Sequence, residues 1–340
     1  MKLKMFNPEE KIKKIEKTLH VLSENEKNCQ LCPRSCKVNR IKGKGGFCKT
    51  GNKAIIAHYG LHFGEEPPLS GYYDFYSQAL HDKGKGSGTI FFTGCNLKCV
   101  FCQNYQISWE MRGKEVTDDE LADIMLSIQN KNALNINLVS PTHLIIPILR
   151  ALKIAYAKGL SIPVIYNSNG YESPYVIKNL DGIIDIYLPD LKYFDSTTSK
   201  KFSHASDYFK IASGVIKEMY YQVGELKFNK NGIATKGLII RHLILPGYIK
   251  ETFKILEWIS RNFPKKIWLS IMSQYKPCFK ASGSIARKLN KKEYESVIAK
   301  VEELGFENVF IQSESFEDGE HLVPDFTKEE PFPWSKKQED

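Results

Sequence analysis

Residues 89–106 read TIFFTGCNLKCVFCQNYQ and place three of the chain's eight cysteines within eight positions. Cys95, Cys99 and Cys102 are spaced C-x3-C-x2-C and follow the run TIFF, which is typical of a strand. Gly94 allows a tight turn directly after that run. The i, i+4, i+7 spacing would also fit one face of a helix. We instead expect a loop at the carboxyl end of a strand, because cysteine is otherwise sparse.

The chemistry of three clustered thiols predicts a reactive metal site. Thiolate sulfur is a soft ligand that suits zinc or iron–sulfur clusters. A four-iron cluster usually takes four cysteines, so Cys95, Cys99 and Cys102 would leave one iron without a protein ligand. An open coordination position is typical of a metal centre that binds and reacts, as in catalytic zinc sites.

Short apolar runs alternate with patterns of helical period from residue 89 onward. Strand–helix alternation implies βαβ units and a parallel sheet. We therefore predict an α/β fold, specifically a partial (β/α)6 barrel, whose chemistry lies at the carboxyl ends of its strands. Thr117 with Glu120 predicts a capping box at one helix start, and Asn231–Gly232 predicts a hairpin turn. The predicted strands cover residues 89–92, 136–139, 162–167, 182–190, 237–245, 267–272 and 308–312.

The first 88 residues have a different pattern. Residues 8–23 have helical apolar spacing, and the stretch that follows, up to residue 88, is rich in glycine and proline, which predicts a loop-rich module. We predict this N-terminal cysteine-rich module over 1–88, the barrel over 89–320 and an extended, charged tail over 321–340. The module contains four further cysteines, which are Cys29, Cys32, Cys36 and Cys48.

This upstream set of four thiols is complete, unlike the loop set. Closed four-coordinate sites are usually structural or electron-carrying. A second iron–sulfur cluster, a structural zinc ion and unmetallated thiols all remain open, because both metals accept four sulfurs. Arg34 and Lys37 are candidates to offset the thiolate charge.

Composition and charge limit the class of protein. Hydrophobic residues make up 42% and charged residues 26%, as in ordinary globular domains. No apolar run approaches the roughly 20 residues of a membrane span, and the N-terminus lacks a signal-peptide core. We therefore expect a cytoplasmic protein with reduced thiols. The net charge of +9 comes from scattered lysines, which favours a solvated surface over a nucleic-acid surface and would also suit an anionic substrate.

The cysteine loop also carries a family resemblance. C-x3-C-x-aromatic-C after the first strand of such a barrel, with Phe101 at the aromatic position, resembles the signature of the radical SAM superfamily. The resemblance implies a radical-SAM-type barrel, a [4Fe-4S] cluster on Cys95, Cys99 and Cys102, and S-adenosyl-L-methionine (SAM) on the open iron. In that family the reduced cluster cleaves SAM to methionine and a 5′-deoxyadenosyl radical, which abstracts hydrogen from a substrate, while the protein orients both.

Further segments of the sequence resemble one particular branch of that superfamily. CVFCQNYQIS at 99–108 is similar to the branch related to the pyruvate formate-lyase activating enzyme. LCPRSC at 31–36 and GLHFGEEPPLSG at 60–71 resemble an uncharacterised group within that branch. The resemblance covers roughly residues 89–312.

The resemblance implies cofactor contacts at the ends of later strands. Where the activating enzymes carry Gly-Gly-Glu-Pro after the second strand, this chain has Ser140 and Thr142 and no glutamate. Their oxygens are acceptors for an ammonium group, although Thr142 is also a candidate helix cap. With the aromatic position of the loop, the implied cofactor-binding residues are Phe101, Ser140, Thr142, Asn167, Ser168, Asp190, Lys192 and Arg241.

A different feature of each strand end implies that its residues bind the cofactor. Asn167 and Ser168 resemble the Thr-Ser-Gly turn of the activating enzymes. Asp190 and Lys192 match their Asp-x-Lys motif and point to the same side of a strand. Arg241 is a good bidentate partner for a carboxylate, whereas the neighbouring histidine, at position 242, is expected to be a core residue.

The function that follows is a radical SAM oxidoreductase acting on an unknown substrate. One candidate is the activating type, whose substrate is a glycyl radical site on a partner protein. A flavodoxin or ferredoxin would donate electrons, and neither a nucleic acid nor a membrane is an expected partner. The alternatives are an iron–sulfur electron carrier or metal-binding module without radical chemistry, or an RNA- or peptide-modifying radical enzyme. No catalytic residue is identified.

Overall fold

A computed structural model describes residues 7–43, 45–71, 85–311 and 323–332, and these ranges contain a ten-stranded sheet. The strands follow the order β10-β9-β8-β6-β5-β4-β2-β1-β3, and β7 pairs with β8. The strands are β1 (Ala54–His62), β2 (Ser87–Phe92), β3 (Lys114–Val116), β4 (Ile136–Val139), β5 (Val164–Ser168), β6 (Ile186–Pro189), β7 (Lys227–Phe228), β8 (Ala234–Leu243), β9 (Trp268–Met272) and β10 (Asn308–Ile311).

The sheet is mostly parallel and open. All six pairings from β2 through β4, β5, β6, β8 and β9 to β10 are parallel, whereas β1 and β3 add an antiparallel edge. This order confirms the predicted α/β class and is that of a partial barrel, whose strands all end at one edge. The short β7–β8 hairpin also confirms the predicted turn, with Gly232 at φ +75°.

Helices connect the strands and cover the outer face of the sheet. The capping box predicted at Thr117 and Glu120 is present at the start of α4. The helices are α1 (Pro8–Leu22), α2 (Pro67–Ser70), α3 (Tyr105–Ser108), α4 (Asp118–Asn130), α5 (Ile145–Ala157), α6 (Pro174–Asn179), α7 (Ser196–Ser203), α8 (Tyr208–Val223), α9 (Ile249–Asn262) and α10 (Lys291–Glu303). None of these helices is both long and apolar enough to cross a membrane.

Side chains along each strand alternate between two environments. In β8, Leu238 and Ile240 join the main core beneath the helices. Ile239 joins a smaller cluster on the inner face, which Leu69 of α2 also enters. The inner face of the sheet therefore carries its own cluster of buried apolar side chains. The candidate site lies at the edge of the sheet where the parallel strands end.

The loop-rich prediction for the segment up to residue 88 was wrong for β1. This nine-residue strand pairs with β2 and β3. Its sequence, AIIAHYGLH, carries a glycine and two histidines that hide the strand pattern, and pairing on both sides stabilises it. Helices α7 and α8 were also not predicted.

The core is continuous across the boundary predicted between residues 88 and 89. Ile15 and Leu22 of α1, and Ala54 and Ile56 of β1, belong to the same buried cluster as the barrel core. The predicted division into domains remains a prediction, but residues from both sides of it build one sheet and one core.

Part of the predicted tail lies over the inner face of the sheet. Phe332 packs against Phe91 of β2 at 5.2 Å between ring centroids. The Phe326 amide donates to the Gln106 side chain at 2.6 Å. Residues 321–322 and 333–340 of the tail, and 312, the last residue of the seventh predicted strand, lie outside the described residues.

Replacing Lys11 by Met should destabilise the docking of α1. The buried Lys11 ammonium lies 2.5 Å from the Asp185 carboxylate and donates to the Tyr156 hydroxyl and the Ile183 carbonyl. Losing it leaves buried acceptors unpaired, a cost of about 1–3 kcal/mol in the free energy of unfolding. Denaturant unfolding measures this. Lys13→Met, on an exposed position of the same helix, is the control, and equal losses in both variants would contradict the prediction.

Candidate metal and cofactor site

The three-cysteine loop leaves the sheet directly after β2 and is not helical, as predicted. Its first turn depends on Gly94, whose φ is +87°. A Cβ there would also lie 2.7 Å from the Cys48 carbonyl oxygen and 2.9 Å from Nε2 of His143. No other residue fits this position without strain, so the loop is pressed against the upstream cysteine segment.

Each loop thiol lies beside a hydrogen-bonding group. The Leu97 amide and the Asn169 side chain both donate to Cys95 Sγ at 3.4 Å. The Ser203 hydroxyl donates to Cys99 Sγ at 2.9 Å. The Ser108 hydroxyl lies 3.2 Å from Cys102 Sγ. Such donors stabilise thiolates, which are the form that binds metal.

The thiols are close enough to influence one another electrostatically. Burial, and then the charge of Cys99, raises the pKa of Cys95 to about 11 and that of Cys102 to about 12. Burial also raises the pKa of Cys99, against the nearby Lys192 ammonium and the Ser203 hydroxyl, which lower it. These thiols would stay protonated near pH 7 on their own, so a bound metal must supply the positive charge that ionises them.

The predicted pair Asp190 and Lys192 lies beside this loop. Their charged groups are 2.5 Å apart, and both side chains are mostly buried. Burial alone would lower the pKa of Lys192, but Asp190, followed by Cys99, raises it above its usual value. The pair therefore carries a stable ammonium next to the thiols at the end of β6.

Of the predicted pair after β4, Thr142 is bonded to a carboxylate that sequence reasoning missed. The Thr142 hydroxyl donates to Glu172 at 2.6 Å instead of capping α5, and the Tyr166 hydroxyl donates to the same carboxylate at 2.9 Å. Ser140 has a φ of +62°, and its amide donates to the Asn167 carbonyl at 2.9 Å. Glu172 follows the NSNGY turn directly, which was the available signal.

The turn after β5 reaches the cysteine loop through Asn169. Its side-chain amide donates to Asn96 Oδ1 at 2.7 Å as well as to Cys95. Ser168 is buried and accepts from the Gly170 amide at 3.2 Å. Asn167 and Ser168 therefore end β5 next to the turn that contacts the loop, but Asn169 makes the contact itself.

Arg241, which is predicted to bind the cofactor, has its guanidinium paired within the chain. It lies on the inner face and forms ion pairs with Glu65 and Glu66 of the segment before α2. Desolvation opposes its charge, but these two carboxylates raise the pKa of Arg241 overall. Its charge is therefore matched within the chain. His242 is a core residue as expected, with ring nitrogens 2.6 Å from the Leu191 carbonyl and 2.9 Å from the Thr252 hydroxyl.

Phe101, at the aromatic position of the loop, is buried in the core. Its ring meets Phe202 at 6.2 Å and Tyr275 at 5.7 Å between centroids. The Cys278 thiol donates to the Phe101 carbonyl at 3.4 Å. Phe101 therefore anchors the loop in the core.

The upstream cysteines line one cavity together with a residue from the barrel. Burial raises the pKa of Cys32 to about 12, and the charges of Cys48, Cys29 and Cys36 act in the same direction. Arg34, which is predicted with Lys37 to offset this charge, donates to the Asn96 and His204 carbonyls. The residues that line the cavity are Cys29, Leu31, Cys32, Ser35, Cys36, Arg40, Gly46, Phe47, Cys48 and His143.

His143 is neutral in this environment. Burial lowers its pKa to about 3, and the cations Arg40 and Lys98 act in the same direction. Within the described ranges, no three His, Cys, Asp or Glu side chains are already placed to hold a single metal ion. In a cluster, by contrast, each thiolate binds a different iron.

Comparisons with known proteins agree with this arrangement. The sequence model described as "Radical SAM superfamily" matches residues 89–264. An uncharacterised protein of Methanocaldococcus jannaschii is 31% identical over 296 residues, which are 84% of this chain and 77% of that protein. A second uncharacterised protein of the same organism is 26% identical over 119 residues, covering 31% of this chain and 32% of its own length.

A structural comparison finds a more distant likeness. The crystal structure of Streptococcus suis SuiB bound to S-adenosylmethionine is 16% identical, with a TM-score of 0.44. The match covers 64% of this chain and 47% of that chain, so this chain spans about half the length of that structure.

The buried Glu172 should make stability fall as pH rises. Burial raises its pKa from 4.5 to about 7, against the hydroxyls of Thr142 and Tyr166. Between these values the folded chain binds more protons than the unfolded chain, so wild type should lose about 3 kcal/mol relative to Glu172→Gln as pH increases. Denaturant unfolding from pH 4.5 to 8 measures this. Glu225→Gln, at an exposed position, should follow wild type, and a constant wild-type-to-Glu172→Gln difference would contradict the prediction.

Proposed function

We propose a function from one premise: the chain belongs to the radical SAM superfamily, whose sequence model covers more than half of its 340 residues. It is therefore a radical SAM enzyme, and the family implies a [4Fe-4S] cluster and S-adenosylmethionine. We propose that it reductively cleaves SAM and uses the product radical to abstract hydrogen from a substrate.

The donor set of the loop fits the cluster. Cys95, Cys99 and Cys102 would hold three irons, and the open fourth iron is left for SAM. When bound, the reduced cluster supplies the electron that cleaves the sulfonium of SAM to methionine and a 5′-deoxyadenosyl radical. The observation that carries the proposal is that all three half-buried thiols, each beside a hydrogen-bonding group, lie in the loop that leaves the carboxyl edge of the parallel sheet.

The neighbouring side chains would bind and orient the cofactor. The Lys192 ammonium, fixed by Asp190 at 2.5 Å, would pair with the SAM carboxylate. Thr142 would not offer its proton to a ligand, because that proton is given to Glu172. Its lone pairs and the backbone carbonyls after β4 remain acceptors for the SAM ammonium. The glutamate of the Gly-Gly-Glu-Pro motif is absent from this chain. The Thr142 hydroxyl oxygen and the backbone carbonyls would take its place, and Glu172 fixes Thr142 by a hydrogen bond.

We further propose an activating type of reaction, in which the substrate is a peptide segment of a partner protein. The charged groups described on the inner face pair with each other, as Arg241 does with Glu65 and Glu66. Next to them, the apolar side chains of Phe91 and Ile107 are already buried in a cluster with Phe332 of the tail. A neutral glycyl segment suits an inner face whose described charges pair with each other better than a charged metabolite does. A flavodoxin or ferredoxin would supply the electron.

The loop thiols should be essential for SAM cleavage. Under anaerobic conditions with dithionite, wild type should form 5′-deoxyadenosine, and Cys99→Ala should lose at least about 100-fold in rate because one iron loses its ligand. Chromatography of the products measures this. Cys278→Ala, which removes a thiol outside both cysteine sets, is the control. Undiminished cleavage by Cys99→Ala would contradict the assignment.

The substrate class can be tested by isotope transfer. Protein extract from the source organism, grown on α-deuterated glycine, is incubated with the reduced enzyme and SAM. Deuterium should appear in 5′-deoxyadenosine if the radical takes hydrogen from a glycyl α-carbon. Extract grown on α-deuterated alanine is the control. Cleavage of SAM without deuterium from glycine would reject the activating type while leaving the radical SAM chemistry intact.

A further inference from the structure

We propose that the upstream cysteine pocket holds a second iron–sulfur cluster, whose four irons take their four terminal ligands from five donors, the thiolates of Cys29, Cys32, Cys36 and Cys48 and Nδ1 of His143. The proposal concerns a different site from the three-cysteine loop and does not depend on the substrate of the enzyme. Three observations carry it: a buried cation without a carboxylate partner, a preoriented imidazole, and the arrangement of the four thiols around one cavity.

The first observation is the position of Arg40. Its side chain is 3% exposed, and its guanidinium donates to Cys29 Sγ at 3.5 Å and reaches Cys48 Sγ at 3.9 Å. Among the described residues no carboxylate lies within ion-pair distance of it, and its other acceptors are neutral oxygens, including the His143 carbonyl at 2.6 Å. A buried charge is costly unless it is paired. Anionic, metal-bound thiolates would supply the missing counter-charge.

The second observation is the orientation of His143. Its Nε2 lies 2.8 Å from the Thr93 carbonyl oxygen, which can only accept, so Nε2 carries the proton. Nδ1 of the neutral ring then holds a lone pair. This atom is buried and has no hydrogen-bond partner within the described part of the chain, although the ring lines the cavity. Histidines that bind a metal through one ring nitrogen usually donate the N–H of the other ring nitrogen to a group such as a backbone carbonyl.

The third observation separates a cluster from a single ion. A zinc ion holds each sulfur at about 2.3 Å and draws four thiolates into mutual contact. Here the four thiols surround a common cavity, whose wall also includes Leu31, Phe47 and His143. In the part of the chain that the structure describes, no three of these side chains are placed to hold a single metal ion, whereas in a cluster each thiolate binds a different iron.

The pocket is adjacent to the three-cysteine loop. His143 contacts Thr93, and the Cys48 carbonyl meets Gly94, which immediately precedes Cys95. A cluster whose irons are all ligated has no open position for a substrate. The location suits an electron carrier that lies behind the open site.

The first test counts metals in anaerobically reconstituted protein. Wild type should contain about eight iron and eight sulfide per chain, and Cys95/Cys99/Cys102→Ala should retain about four of each, the content of one cubane cluster. Cys278→Ala should match wild type. About four iron in wild type, or one zinc without sulfide in the triple variant, would overturn the proposal. The wild-type count decides the matter even if the triple variant fails to fold.

The second test addresses His143 and Arg40 by pulsed paramagnetic resonance of the reduced triple variant. Coupling of the cluster to an imidazole nitrogen should be present and should disappear in His143→Phe. Arg40→Gln should shift the reduction potential downward, because a cation beside the cluster favours the added electron. Absence of nitrogen coupling would overturn the role of His143, and an unchanged potential would overturn that of Arg40.

Discussion

The close contact at Gly94 is the constraint on which both cysteine sites depend. At this residue the chain leaves β2 and turns with a positive φ, and a Cβ there would lie 2.7 Å from the Cys48 carbonyl oxygen and 2.9 Å from Nε2 of His143. The space for a side chain is taken on two sides. The three-cysteine loop and the upstream cysteine pocket therefore cannot be positioned independently, because the first residues of the loop lie between them.

Buried cations explain why the N-terminal region is built into the sheet. Removing a guanidinium or an ammonium from water is costly, so each buried cation must meet an anion or several acceptors. Arg241 meets Glu65 and Glu66, and Lys11 meets Asp185. Both pairs join residues far apart in sequence, and both fasten the N-terminal segment to the strands. The same rule makes Arg40 informative, because its nearest ionisable neighbours are thiols.

Much of the fold could be predicted because its signals are local. The capping box at Thr117 and the hairpin at Asn231–Gly232 depend on residues within a few positions of each other. The apolar parallel strands are recognisable because both of their faces are buried. By contrast, β1 contains a glycine and depends on pairing with β2 and β3, so its own residues indicate a strand only weakly.

The sequence by itself determined which thiols are candidates to bind metal, since thiol spacing within one loop is a local property that folding does not change. Tertiary structure decided which groups surround those thiols. Glu172 behind Thr142, Arg40 and His143 beside the upstream cysteines, and the carboxylates that neutralise Arg241 are separated from their partners by up to about 175 positions. Only the parallel sheet, which gathers the ends of successive strands at one edge, brings such residues together.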